Sequence, residues 1–170
     1  MWRWKARRFE AVHRRTRMRA NIPVDKLPAK ALLEDWDWLT QKPYTLMAMN
    51  NFGDLFLQDQ DGRIDFLQLE AGKILRIANS AQEFQEMTKE RKNQQEWFFA
   101  DLLTDLEHAG MALGYGQCFA LKTPLVLGGE AKLENFEMTS ILVHVSMMGQ
   151  IHRQVKNLPP GTKIDKIEIG

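Results

Sequence analysis

Few residues in this sequence have the type and spacing that chemistry requires, and the single cysteine is the first to test. Cys118 lies in the stretch GYGQCFALKTPLVLGGE, residues 114–130. A nucleophilic cysteine usually lies at a helix N-terminus or near a cation, which lowers the pKa of its thiol. Cys118 instead shares one face of an alternating pattern with Gly116 and Ala120, and this small face predicts a strand that packs closely on a neighbour. We therefore expect a structural thiol.

Three further patterns resemble binding sites but lack a necessary part. The Gly128-Gly129 pair lies between two predicted strands and has no following Lys-Ser/Thr, so it does not form a phosphate loop. His144 and His152 are eight residues apart and have no third ligand at zinc spacing. Asp59-x-Asp61-Gly lacks the third oxygen ligand and the distal glutamate of a calcium loop. We expect no catalytic residue, no cofactor and no metal.

The elements that surround these residues predict an α+β fold. An amphipathic helix is predicted over 29–41, with Trp36 in its apolar stripe and therefore in the core. Short apolar runs near 45–50, 54–58, 63–69 and 74–77 are separated by turn residues, and Asp61-Gly62 is a strong hairpin signal. These runs predict a four-stranded meander. The expected fold is a largely antiparallel twisted sheet with helices packed on one side.

In the second half of the sequence, segments with helical spacing of apolar residues alternate with segments that have the pattern of a strand. Ser80 opens a capping box in which Glu83 can reach back to the Ser80 amide, and a helix should follow to about residue 92. A second helix is expected over 95–108. Strands are predicted over 115–121 and 130–138 and at the start of TSILVHVSMMGQIHRQVKNL, which should turn helical near Gly149. A short strand or tail is expected in KIDKIEIG, residues 163–170.

Charge is distributed unevenly along the chain. Residues 1–20 contain eight Lys/Arg and one acid, which leaves 15 basic and 21 acidic residues over 21–170. We interpret 1–21 as a basic extension, either a disordered tail or a start-site artefact with Met18 as the true start, with a nucleic-acid arm as the alternative. Residues 22–170 should form one domain. The lone cysteine and the absence of a visible signal or spanning segment predict a cytoplasmic protein.

Three stretches together resemble a known bacterial family. They are FGDLFLQDQDGRIDFL, GYGQCFALKTPLVLGGE and HVSMMGQIHRQVKNLPPGTKI, and the similarity extends from about residue 22 to 167. The sequence resembles the C-terminal domain of the type VI secretion DNase immunity proteins, so 22–170 is expected to be an immunity-type domain. The resemblance implies a non-enzymatic antitoxin that binds and neutralises a cognate DNase effector in the cytoplasm. It implies no catalytic residue.

The acidic body suits a partner with a basic, DNA-binding cleft, because complementary potentials speed association. The candidate contacts are acidic residues of the first helix and of the hairpin that we do not expect inside the fold: Glu34, Asp35, Asp37, Asp59, Asp61 and Asp65. Two alternatives are a regulatory interaction domain of the same fold with another protein partner, and a nucleic-acid binder that uses the basic extension.

Overall fold

The computed structural model describes residues 27–159, 161–164 and 166–170. The basic extension predicted over 1–21 lies outside the described residues, and so does its boundary with the domain. In the described part of the chain, no helix is long and apolar enough to cross a membrane.

The first sheet is the predicted meander. It contains four antiparallel strands in sequence order, β1 (Thr45–Met49), β2 (Leu55–Gln58), β3 (Ile64–Gln68) and β4 (Lys73–Ala78). Gly62 adopts a φ of 81° in the β2–β3 turn, which explains why glycine follows Asp61 there. The predicted α+β class and antiparallel sheet are confirmed.

Helices cover both faces of this sheet, which corrects the expectation of helices on one side. Leu55 and Leu57 of β2 join the core that contains Trp36, whereas Phe56 between them joins a second core that contains Phe84 and Trp97. Successive side chains of a strand point to opposite faces, so a strand that is apolar at every position must be covered twice.

The second sheet pairs β5 (Gln117–Leu121) with β6 (Phe136–Ser140) in antiparallel register. The alternation predicted for β5 is confirmed, since Cys118 contributes to the Trp36 core and Phe119 to a third core. β6 begins later than predicted. The preceding residues form two 3₁₀ turns, and the Asn135 side chain bonds to both Thr123 and Glu130 and holds this loop together.

The first two helices are shorter than the sequence predicted. α1 (Ala29–Leu33) passes directly into a 3₁₀ turn, Glu34–Trp36, in which Trp36 is buried and its Nε1 donates to the Val145 carbonyl at 2.8 Å. α2 spans Ala81–Met87. Half of the predicted capping box is present, because Ser80 Oγ accepts from the Glu83 amide, but the Glu83 carboxylate accepts from the Asn79 amide and not from Ser80.

The helix predicted over 95–108 is two helices, α3 (Arg91–Phe98) and α4 (Ala100–His108). Phe99 between them has a φ of 49°, which is left-handed backbone. The break has a tertiary cause. Trp97 before the break packs in the Phe56 core, whereas Leu102, Leu103 and Leu106 after it pack in the third core, so the two helices serve different cores.

The run predicted to begin as a strand is helical throughout. α5 spans Ile141–Val155, so the strand assignment over its first residues is wrong. Its β-branched residues favour strands, but Ile141, Val145 and Met148 recur at helical spacing and all three are buried. Gly149 does not mark a change of element. A Cβ there would lie 2.7 Å from the Asp35 carbonyl oxygen, so glycine permits close packing of α5 on the 3₁₀ turn.

The terminal strand allowed for by the sequence is absent from the described residues, in which 166–170 have no regular secondary structure. These residues lie along α5 and bond to its side chains.

Candidate partner-binding surface

Two of the predicted contact residues are buried within the first sheet. Asp59 and Asp65 are 7% and 5% exposed. Asp65 accepts from Tyr44 Oη at 2.7 Å and forms an ion pair with the Arg76 guanidinium, while Asp59 accepts from Lys42 Nζ at 2.8 Å. The expectation that neither carboxylate is needed inside the fold is corrected, because both form ion pairs there.

These contacts determine the protonation of both groups. The hydrogen bond from Lys42 lowers the pKa of Asp59 below its usual range. Burial raises the pKa of Asp65, but hydrogen bonds from Arg76, Tyr44 and Lys42 outweigh it, and the net shift is downward. Both carboxylates are therefore ionised at neutral pH and hold the strands of the sheet together.

The turn residue Asp61 is exposed and pairs with the neighbouring Arg63 at 2.9 Å. Asp59 Oδ1 accepts from the amides of both Asp61 and Arg63, and thus it builds the turn. Asp59 and Asp61 have this structural role in the turn. In the described residues, no group of three or more His, Cys, Asp or Glu side chains could hold a metal ion.

The three acids predicted near the first helix differ in their surroundings. Glu34 is exposed, and Asp37 is exposed but forms an ion pair with Arg153 of α5. Asp35 is half-buried, and its carboxylate accepts from Ser146 Oγ. Of the six predicted contacts, only Glu34 has a carboxylate without a described ion-pair or hydrogen-bond partner.

A second acidic group, which the sequence interpretation did not single out, lies on α3 and α4. Glu96 and Glu107 are exposed and Asp105 is half-buried, and no described Lys or Arg forms an ion pair with any of them. A signal was available in the sequence, since no Lys or Arg occurs between residues 93 and 121. We call Glu96, Asp105 and Glu107 the helical acids.

Exposed apolar side chains gather where β6 passes into α5. Tyr115 is 73% and Val143 is 59% exposed, and Met138 and Leu142 are also exposed. Tyr115 and Leu142 line one cleft of about 220 Å³ together with Pro28. Exposed apolar patches of this kind are typical of surfaces that bind other proteins.

Several ionisable groups in the turns of the first sheet and on α5 are buried or half-buried. Burial raises the pKa of Asp54 to about 6 and of Glu70 to about 7, and it lowers the pKa of His144 to about 4. Glu70 Oε1, His144 Nδ1 and His152 Nε2 are buried without a hydrogen-bond partner among the described residues. Burial thus shifts each of these pKa values in the direction that favours the neutral form, which fits an interior position and not a surface contact.

Cys118 is fully buried in β5, and burial raises the pKa of its thiol to about 12. At neutral pH the sulfur is a protonated thiol, which is a poor nucleophile. The structural interpretation of the quoted cysteine stretch is consistent with this environment.

Part of the chain is similar to a known family. Residues 78–152 match the family described as T6SS immunity protein Tdi1, C-terminal. The resemblance predicted from the sequence is thereby confirmed. We call these residues the Tdi1 segment. It contains the helical acids and all four exposed apolar side chains named above, which we call the apolar patch (Tyr115, Met138, Leu142 and Val143). The six acids predicted from the sequence, Glu34 to Asp65, all precede it.

A solved structure shares the fold. The crystal structure of Atu4351 from Agrobacterium tumefaciens aligns with a TM-score of 0.52 and 15% sequence identity, and the alignment covers 72% of this chain and 64% of that one. This chain therefore matches less than two thirds of that protein's length. At this identity the likeness shows the fold alone. No curated protein matches the sequence significantly.

Proposed function

We propose that this protein is a non-enzymatic immunity protein of the cytoplasm that binds and neutralises a cognate type VI secretion DNase effector. The observation that carries the proposal is the match of residues 78–152 to the Tdi1 C-terminal family of immunity proteins. An immunity protein acts by occupying its toxin, so it needs a complementary surface and no reacting group.

The charge of the Tdi1 segment supports a partner with a basic cleft. The segment contains ten Asp/Glu and five Lys/Arg, and this accounts for most of the negative excess of the body. An enzyme that cleaves DNA must attract phosphates, and a negative surface is attracted to the same cleft. The helical acids are suited to this role because no described base neutralises them.

The apolar patch can supply affinity that charge alone does not. Exposed charge pairs contribute little net binding free energy, whereas an exposed aromatic such as Tyr115 can act as an anchor once a partner buries it. We propose that the toxin covers Tyr115, Leu142 and Val143, and that the helical acids guide its approach.

Co-expression with the protein encoded immediately upstream tests the function, because an antitoxin is encoded beside its toxin. We expect cells to survive expression of the neighbour only when this protein is also present. Purified protein added at a stoichiometric amount should stop plasmid cleavage by the neighbour, which tests its DNase nature separately. Equal cell death with and without this protein would contradict immunity and favour a regulatory interaction domain.

A further inference from the structure

The C-terminal residues 166–170, which we call the strap, bond to two glutamines of α5. Gln154 donates from Nε2 to the Glu168 carbonyl at 2.8 Å and accepts at Oε1 from the Glu168 amide at 3.1 Å. Gln150 makes the same pair of contacts with Gly170, at 3.3 Å and 2.9 Å. Each glutamine therefore satisfies both main-chain groups of one strap residue.

This arrangement follows from the geometry of the two elements. Residues four apart on a helix are separated by about 6 Å along its axis, and alternate residues of an extended chain by about 6.6 Å. A carboxamide has a donor and an acceptor side by side, like a peptide group in a strand. The pair Gln150 and Gln154 thus contacts alternate residues of an extended segment that runs antiparallel to α5.

Contacts within the protein hold the two carboxamides in place. Gln150 Nε2 lies 3.2 Å from Ser146 Oγ and 3.4 Å from Asp35 Oδ2, and the Ser146 hydroxyl donates to the same Asp35 carboxylate. Gln154 Nε2 also donates to the Gln150 carbonyl at 3.1 Å. Asp35, which the sequence suggested as a contact residue, therefore positions Gln150. Such preorganisation lowers the entropic cost of binding a peptide.

The strap is held in a way that another segment could reproduce. The four bonds go to main-chain atoms and therefore select an extended backbone and not particular side chains. Ile167 is partly buried against the core, whereas Ile169 is 51% exposed. An open cleft of about 440 Å³ lies beside Gly170 and is lined by Asp35, Gln150 and Arg153. Of the two isoleucines of the strap, Ile167 is the one whose side chain packs against the protein core.

We propose that Gln150 and Gln154 form a binding site for the main chain of an extended peptide, and that an extended segment of the toxin replaces the strap there. The identity of the partner rests on the proposed function, whereas the site itself rests on the contacts above. The segment it takes has an apolar residue at the position of Ile167. Release of the strap accompanies toxin binding.

The site can be tested without the toxin. In the full chain, Glu168→Pro with Gly170→Pro removes both strap amides that the glutamines accept from, and Glu168→Ala with Gly170→Ala keeps them. We expect a labelled Lys-Ile-Glu-Ile-Gly peptide to bind the proline variant about tenfold more tightly than the wild-type or alanine protein, because the site is vacated. Adding Gln150→Ala and Gln154→Ala should abolish binding, and circular dichroism should show unchanged folding.

Failure of the peptide to bind the proline variant, or binding that survives loss of both glutamines, would overturn the site. The toxin is then tested by titrating the upstream-encoded protein against the same variants. A roughly tenfold gain in affinity for the proline variant supports exchange. Unchanged affinity with cell protection intact would overturn exchange and leave immunity standing. If the wild-type protein neither binds nor protects, the upstream-encoded protein is the wrong partner and the proposed function fails with it.

Discussion

The acids of the first sheet and the helical acids have the same carboxylate group, but only the acids of the first sheet are paired with basic side chains. Asp59 and Asp65 are buried and paired with Lys42 and Arg76, so their charges stabilise the fold and are not available to a binding partner. The helical acids have no described basic partner, and they lie inside the Tdi1 segment. The availability of a carboxylate for binding therefore depends on its local partners and not on the net charge of the chain.

The largest effect should come from removing a paired carboxylate. Asp65→Ala removes the acceptor of Tyr44 and one of the two carboxylates that pair with Arg76 and Lys42, and we expect a loss of about 2–3 kcal/mol of unfolding free energy. Urea unfolding measures this loss. The matched control is Asp61→Ala, which removes an exposed acid of the turn before β3 and should cost less than about 0.5 kcal/mol. Equal stability of the two variants would show that Asp65 is a surface residue after all.

Charge reversal of the helical acids should weaken toxin binding with little effect on stability. For Asp105→Lys with Glu107→Lys we expect association with the toxin to slow about tenfold at low salt, and the difference to shrink as salt rises. Stopped-flow or surface-binding kinetics measure it. The control is Glu34→Lys with Asp61→Lys, which changes the net charge equally outside the Tdi1 segment. A larger effect in the control pair would return the binding surface to the acids predicted from the sequence.

Cys118 is a buried residue of the Tdi1 segment. We expect it to affect the stability of the fold and not toxin binding. Cys118→Ser places a hydroxyl in an apolar site, and we expect it to cost about 1–2 kcal/mol while protection of cells is retained. Cys118→Ala should cost less, since it only reduces volume. The native thiol should react slowly with a thiol reagent at neutral pH and completely after denaturation. Rapid, stoichiometric labelling of the folded protein would contradict this position.

The smallest effect concerns Glu70, whose pKa is shifted in the opposite direction from those of Asp59 and Asp65. Burial raises the pKa of Glu70 from 4.5 to about 7 in the folded protein, so the folded state binds its proton more tightly than the unfolded state. Its ionisation therefore destabilises the fold as pH rises from about 4.5 to 7. The melting temperature of Glu70→Gln should exceed that of the wild type by a few degrees at pH 8 and match it at pH 4.5.

Asp59→Asn should show the reverse trend. Its lowered pKa provides stability that is present above pH 3.8 and is lost as pH falls through the folded pKa. The two variants therefore differ in the sign of their pH dependence. If the stability difference from the wild type changed in the same direction with pH for both variants, the assignment of Asp59 as paired and Glu70 as buried without an ionic partner would be wrong.

The meander could be predicted from the sequence because the patterns that indicate its strands and turns are local. Short apolar runs separated by Asp61-Gly62 and Gly72 determine where strands end, and β1 to β4 lie within about a residue or two of the predicted ranges. The Ser80 cap and the burial of Trp36 and Cys118 were predictable for the same reason. The boundaries of the later helices were not, because the break at Phe99 serves two separate cores.

The candidate site was harder to predict from the sequence than the fold. From the sequence, Asp59 and Asp65 are indistinguishable from solvated acids, since the bases that satisfy them, Lys42 and Arg76, are remote in the chain. The helical acids could have been recognised from the long stretch without Lys or Arg. The pairing of Gln150 and Gln154 with the strap had no sequence signal, because glutamines four apart are common on exposed helix faces.

The sequence by itself determined the class of fold, the meander, the structural nature of Cys118 and the resemblance to an immunity family that residues 78–152 confirm. These depend on residue types and spacings within a few turns of chain. Only the tertiary structure decided that the run 141–145, with three β-branched residues, is helical, that Asp59 and Asp65 are paired with bases inside the fold, and that α5 holds the strap. Each of these depends on which distant groups share the same interior, and burial makes such partners far more important than local preference.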